Sequence, residues 1–333
     1  MLVSIPGMVI LPRFFAQTNS PPIRTRGINH VTLRVSDLKR SVDFYQGLFG
    51  MPVINRQEMS VGLQIGTGPL HLGLSSAGAE APNINHVCLN VENFNVDRLL
   101  GILTQRGFTK SDDVGPMKVR ARMRDATPEF YFYDADNIAV QLQDPRYCGG
   151  SGPLGNLCSA PEPSPKKGLM ALRGWSHCTI FGSDANRSNK FYQDLFGWHV
   201  QGYQAPAGST NAPFLSVGNG VEFLMFGGGG GGGRGAPGAA PGGSINHLCM
   251  SMDNFNPDAV IKNLESFGIK PRSNTQGAPG PLVHYISLRM ENRGGAKDGT
   301  SELYFTDPDG LLIQLQDTKY CGGGGFLGDV CPE

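Results

Sequence analysis

Phe44-Tyr-Gln-Gly-Leu-Phe-Gly50 returns later in the chain as Phe191-Tyr-Gln-Asp-Leu-Phe-Gly197. Working outward from this pair, other stretches also occur twice. Gln141-Leu-Gln-Asp144 and Tyr147-Cys-Gly-Gly150 come back as Gln314-Leu-Gln-Asp317 and Tyr320-Cys-Gly-Gly323. A histidine opens each half, at His30 and His177. A finer echo runs inside the halves, because Ile28-Asn-His30 recurs as Ile84-Asn-His86 and Ile245-Asn-His247. Self-similarity on this scale means duplicated structural units, here two per half.

The 333 residues are enough for two ordinary domains. The repeats place one at 27–150 and the other at 173–323, with a Pro/Gly/Ser-rich linker over 151–172 and a tail over 324–333. Residues 1–26 form an apolar N-terminal segment, a possible signal remnant without a basic start, and export and cytoplasmic residence both stay open. A glycine-rich insert over 227–243 has no counterpart in the first half and reads as a tolerated loop. Lys plus Arg and Asp plus Glu balance at 28 each, with no basic run, so nucleic-acid binding has no electrostatic support. No apolar stretch reaches the ~18 residues of a membrane-spanning helix. Cys148 and Cys158, and Cys321 and Cys331, flank short glycine-rich loops, which read either as disulfide-closed loops or as reduced pairs inherited by duplication.

Within each half the pattern is strand, helix, strands, repeated. Val31, Leu33 and Val35 share one strand face, and His30, Thr32 and Arg34 share the other. Ser36 or Asp37 starts the following helix and Gly50 ends it; Ser183 or Asp184 and Gly197 do the same in the second half. Val140 and Leu142 oppose Gln141 and Gln143, as Ile313 and Leu315 oppose Gln314 and Gln316. By the same alternation Leu70, Leu72 and Leu74 oppose His71, and Val221, Phe223 and Met225 oppose Glu222.

The inward polar residues then form two sets. The first half offers His30, His71, His86 and Gln141; the second offers His177, Glu222, His247 and Gln314. Histidine, carboxylate and amide oxygen on neighbouring strands suit a divalent first-row ion, Fe(II) foremost and Mn, Ni or Zn otherwise, with positions left for substrate. Tyr285, Ser287 and Arg289 are expected to line the second lumen, and Lys118, Arg120 and Arg122, beside Arg34, the first. Those cations either hold an anionic substrate or pair with carboxylates on the strands.

The Ile28-Asn-His-Val-Thr-Leu33 start, the Phe-Tyr-x-x-Leu-Phe-Gly helix end and the closing Asp307-Pro-Asp-Gly-Leu-Leu-Ile-Gln314 resemble the vicinal oxygen chelate superfamily, over about 27–146 and 174–318. That superfamily includes glyoxalase I, extradiol dioxygenases and bleomycin-resistance proteins. The resemblance implies an α+β chain of two tandem domains, each a pair of βαβββ modules forming a curved half-barrel around a cleft. It implies a divalent-metal enzyme binding a small substrate through adjacent oxygens, dioxygenase-type first. A glyoxalase-like lyase or isomerase and a non-catalytic binding protein are the alternatives. A four-module chain of this kind is expected as a monomer or homodimer.

The implied ligands are His177, Glu222, His247 and Gln314, with His30, His71, His86 and Gln141 second. The retained Glu222 and the intact Asp307-Pro-Asp-Gly310 turn favour the second half, where Glu222, Tyr285 and Arg289 are the catalytic candidates. Glutamine stands at 141 and 314, where the family usually has glutamate, and an amide cannot serve as a base.

Overall fold

The computed structural model describes residues 20–228 and 242–331. Most of the apolar N-terminal segment and of the glycine-rich insert lies outside them. The first domain runs β1 (Thr25–Val35), α1 (Leu38–Phe49), β2 (Val53–Gln57), β3 (Ser60–Gln64) and β4 (His71–Ser76), then β5 (Asn83–Val91), α2 (Val96–Thr104), β6 (Thr109–Lys110), β7 (Lys118–Arg124), β8 (Thr127–Tyr133) and β9 (Ala139–Gln143). The second repeats it as β10 (Gly174–Phe181), α3 (Ala185–Phe196), β11 (Val200–Tyr203), β12 (Pro213–Ser216) and β13 (Phe223–Gly227), then β14 (Ser244–Met252), α4 (Pro257–Ser266), β15 (Lys270–Pro271), β16 (Val283–Arg289), β17 (Thr300–Thr306) and β18 (Leu312–Asp317).

Each domain is one nine-stranded mixed sheet, in the orders β2-β3-β4-β1-β5-β9-β8-β7-β6 and β11-β12-β13-β10-β14-β18-β17-β16-β15. The first strands of the two modules lie side by side and antiparallel, β1 against β5 and β10 against β14. This is the α+β arrangement of tandem half-barrels. The sheets curve without closing, and the concave faces carry the histidines.

The helix signals work as chemistry requires. Asp37 and Asp184 accept the backbone N–H of Arg40 and Arg187, and Asn95 and Asn256 cap α2 and α4 in the same way. Gly50 and Gly197 end α1 and α3 at φ of 66° and 69°, a left-handed turn that a side chain would strain.

The convex faces share one apolar core. Val31, Leu33 and Val35 pack in it together with Tyr192, Leu195 and Phe305 of the second half. Polar links cross the same boundary with pseudo-symmetry. The Tyr45 hydroxyl donates to Asp307 at 3.1 Å, and Tyr192 donates to Asp134 at 3.2 Å. Asp309 accepts from Ser36, and Asp136 from Ser183. The Asp307-Pro-Asp-Gly310 turn is therefore a clamp on α1. Asp134-Ala-Asp-Asn137 clamps α3 in the same way, with Asn137 at φ 63° taking the place of Gly310. An intact turn in one half thus carries no information about which half holds a site.

The connecting segment is tied down along the first domain. Glu162 pairs backbone-to-backbone with Val53, and its carboxylate meets Arg56 at 2.9 Å. Disulfides join Cys148 to Cys158 and Cys321 to Cys331, while Cys88, Cys178 and Cys249 are buried thiols. Among the described residues no helix is long and apolar enough to cross a membrane.

Candidate metal centre

Sheet register assembles the first cleft. Across β1 and β4 His30 stands opposite His71, and across β1 and β5 His86 stands opposite Thr32, two residues along the same face. Gln141 reaches in from β9. Its Oε1 lies 3.0 Å from His30 Nε2, and His86 Nε2 lies 3.4 Å from the same nitrogen. The His71 ring stacks on His30 at 4.5 Å between centroids.

The proton positions on these rings follow from their partners. Asn29 Nδ2 donates to the Tyr147 carbonyl at 3.0 Å, and a carbonyl can only accept. The Asn29 Oδ1 must then be the atom 2.8 Å from His30 Nδ1, so Nδ1 carries the hydrogen and Nε2 is bare. His71 Nδ1 faces the Pro69 carbonyl at 2.9 Å and must donate too. His86 Nδ1 faces the Asn85 side-chain amide at 2.8 Å.

The bare His30 Nε2 thus lies against His86 Nε2 and the Gln141 side-chain amide. Burial pushes His30 well below the usual histidine range, aided by His71 and His86, and pushes His71 and His86 down to about 4. The rings are therefore neutral near pH 7, and the bare His30 nitrogen has a lone pair for a cation. Donors ~2.1 Å from an ion and at right angles stand about 3 Å apart, close to the spacing seen. Among the described residues no three His, Cys, Asp or Glu side chains are arranged to hold a metal ion. The fitting set therefore includes an amide oxygen: His30, His86 and Gln141, with His71 alongside. Among the described residues the Gln141 Nε2 and the Gln314 Nε2 are both buried without a partner.

The second cleft repeats the frame with different chemistry. His177 Nε2 lies 3.3 Å from His247 Nε2 and 3.1 Å from Gln314 Oε1. His177 Nδ1, however, faces the Ser176 hydroxyl at 3.1 Å, and a hydroxyl can donate. His177 is free to carry its hydrogen on Nε2 and give it to Gln314, so the tautomer of this histidine is not fixed by its neighbour. The place of His71 is taken by Phe223, opposite His177 in register and stacked on it at 4.4 Å.

Glu222 is not in this cleft. Strand β13 begins one residue later, so Phe223 and Met225, not Glu222, face the lumen. The alternation places an apolar stripe on the cleft side because the cleft itself is aromatic. Glu222 turns to the first domain, where its Oε2 accepts the Ile28 N–H at 2.6 Å. Gly27 is glycine for this reason, since a Cβ there would come within 2.8 Å of that oxygen. Burial pushes the Glu222 carboxyl up to about 8 against the pull of the Ile28 N–H. The folded chain therefore keeps a proton that an unfolded glutamate, near 4.5, has lost. Its stabilising effect is full below about 4.5 and fades as pH rises through about 8. Glu222→Gln is expected to flatten the fall in melting temperature between about pH 5 and about pH 8. An unchanged slope would show that this carboxyl is ordinary.

Arg289 also differs from expectation. It is fully buried, its Nε 2.9 Å from Glu302 and its other nitrogens on the carbonyls of Arg293 and Gly323, so it orders the wall instead of reaching the lumen. Tyr285 and Ser287 do line the second cavity, with Tyr285 stacked on Tyr304 at 5.1 Å. That cavity measures about 250 Å³; the first measures about 560 Å³ and is more polar. Arg34, Arg120 and Arg122 line the first, whereas Lys118 pairs with Asp113 at 3.7 Å.

The sequence reading passed over Glu129 and Glu302. Arg122 and Arg124 hold Glu129 at 2.7 and 2.8 Å. Burial disfavours its charge, but the two guanidiniums outweigh that and keep the carboxyl below its usual range. The duplicated Glu129-Phe-Tyr131 and Glu302-Leu-Tyr304 spacing, two residues on one strand face, was the signal available for both.

The model for the Glyoxalase/Bleomycin resistance protein/Dioxygenase superfamily matches residues 27–142 and 174–315, and the chain belongs to that family. No curated protein matches it in sequence. Among solved structures, a catechol 2,3-dioxygenase is 15% identical with a TM-score of 0.60, covering 91% of this chain and 88% of that one. The homoprotocatechuate 2,3-dioxygenase of Brevibacterium fuscum, solved with 3,4-dihydroxyphenylacetate, is 17% identical with a TM-score of 0.60, covering 90% and 83%. A Mn(II)-bound glyoxalase from Novosphingobium aromaticivorans is 14% identical with a TM-score of 0.56, covering 88% and 82%. At these identities the likeness is one of fold.

Proposed function

We propose that the chain is a divalent-metal-dependent vicinal oxygen chelate enzyme working in the first cleft, with dioxygenase-type chemistry. The observation that carries the reading is the convergence of His86 Nε2 and the Gln141 amide on His30 Nε2, which Asn29 leaves without a hydrogen. His30, His86 and Gln141 would hold the ion, with His71 beside them. Fe(II) suits these N/O donors, and Mn, Ni or Zn are the alternatives. When bound, such an ion supplies Lewis-acid attraction for two adjacent substrate oxygens and, if it is iron, access to oxygen chemistry.

The surrounding residues select and orient the substrate. Among the described residues the Arg120 Nε has no partner on the cavity wall, and it favours an anionic group. Glu129 stays ionised under its two arginines and can accept a substrate hydroxyl. Tyr131 and Tyr147 offer aromatic surface to a planar ring. A glyoxalase-like isomerisation needs a base beside the ion, and Gln141 cannot be one, which favours the dioxygenase reading over that alternative.

The test is bound metal per chain in protein purified without added metal, followed by oxygen uptake with small catechols and isomerisation of a hemithioacetal. About one equivalent of metal with oxygen uptake supports the proposal. Metal with isomerisation alone moves the activity to the lyase class. No metal even after reconstitution overturns it and leaves a ligand-binding protein.

A further inference from the structure

We infer that Asn29 and the disulfide-closed loop behind it lock the tautomer of His30, so that this loop, outside the donor set itself, sets the metal affinity of the first cleft. The inference rests on the metal reading of that cleft and adds a control to it.

A neutral histidine binds a metal through whichever nitrogen lacks the hydrogen, and the group on its other nitrogen decides which one that is. At His30 that group is the Asn29 amide. An amide can present either its oxygen or its nitrogen, so its own orientation must be fixed. Two contacts fix it: Asn29 Nδ2 donates to Asn90 Oδ1 at 2.9 Å and to the Tyr147 carbonyl at 3.0 Å. Asn90 is itself an amide and can turn over. The Tyr147 carbonyl cannot change role, so it is the reference that settles the chain of hydrogen bonds.

Tyr147 immediately precedes Cys148, which is bonded to Cys158. The same short segment is tied from three other sides. Asn55 donates to the Cys148 carbonyl at 2.8 Å, Arg124 to the Gly149 carbonyl at 3.2 Å, and Thr127 to the Gly152 carbonyl at 2.8 Å. The Tyr147 ring also stacks near His30, 5.7 Å between centroids. The loop thus holds a ring against the histidine and a carbonyl against Asn29.

The second half supplies an internal comparison. Its loop is built alike, with the Cys321–Cys331 disulfide and Tyr320 stacked near His177 at 5.5 Å. Ser176 stands where Asn29 stands, and a hydroxyl of ambiguous role replaces the amide. The loop is present there, but its carbonyl is not wired to the histidine.

Two variants test this. Asn29→Ser imports the second-half residue, and Cys148→Ser with Cys158→Ser opens the loop; Cys321→Ser with Cys331→Ser is the control. Two readouts are taken on folded protein: the Co(II) dissociation constant, and the nitrogen NMR signals of His30 without metal. In the unaltered chain His30 is expected as the Nδ1–H form. Asn29→Ser is expected to mix the tautomers and weaken Co(II) about 10–100-fold, the usual effect of losing such a partner. Opening the first loop is expected to shift both readouts in the same direction, and opening the second loop neither. An Nε2–H form in the unaltered chain, or unchanged tautomer and affinity in Asn29→Ser, would overturn the lock. Failure of the unaltered chain to bind Co(II) at all, with the Nδ1–H form intact, would instead count against the metal reading and leave no affinity for the loop to set.

Discussion

His86→Ala is expected to cost the first cleft its metal, whereas His247→Ala leaves bound metal essentially unchanged. Four-donor structural zinc sites supply about 10–16 kcal/mol, roughly 3 kcal/mol per donor, so one lost imidazole weakens binding on the order of 100-fold. The difference between the halves comes from the neighbours of the rings. His30 is fixed with its hydrogen on Nδ1 by Asn29, which leaves its Nε2 bare beside His86 and Gln141. His177 has the Ser176 hydroxyl behind it and can turn its hydrogen toward Gln314. Metal analysis and Co(II) titration of both variants read the outcome. Metal lost from His247→Ala and kept in His86→Ala would return the site to the second half.

Arg289→Ala is expected to destabilise the fold by about 3–5 kcal/mol, the cost of leaving one member of a buried ion pair without the other. The Arg289 side chain is 0% exposed and that of Glu302 5%, so water screens neither. Without the guanidinium, Glu302 keeps only the hydroxyls of Tyr320 at 3.3 Å and Tyr304 at 3.4 Å. Against a total stability of about 5–15 kcal/mol this is a large share. Arg56→Ala is the comparison, since Arg56 and Glu162 are both more than half exposed and such pairs contribute about 0–1 kcal/mol. Urea unfolding of both variants decides the matter, and equal costs would mean that Glu302 is carried by its tyrosines. The first half should be more forgiving of Arg124→Ala, because Arg122 also holds Glu129.

The duplication, the module order, the helix caps and the cleft-facing parity of His30, His86, His177, His247, Gln141 and Gln314 were legible in the sequence. They depend on local rules, strand alternation and capping, which act over a few residues. Glu222 shows where such rules stop. Its parity was counted from Val221, but the strand starts at Phe223, and only contact with Ile28 of the other domain reveals where the carboxyl goes. Arg289 fails for a related reason. Alternation gives the face of a strand, and the depth at which a long side chain finds a partner depends on the strand beside it.

By itself, then, the sequence determined that this chain is four βαβββ modules in two tandem halves, with histidine and glutamine on the concave faces. The reason to prefer the first cleft comes only from tertiary structure. It turns on whether Asn29 or Ser176 stands behind the first-strand histidine, and on a carbonyl more than a hundred residues away that orients one of them. Local periodicity places a side chain on a face. Where its hydrogen sits depends on partners that the fold brings from distant parts of the chain.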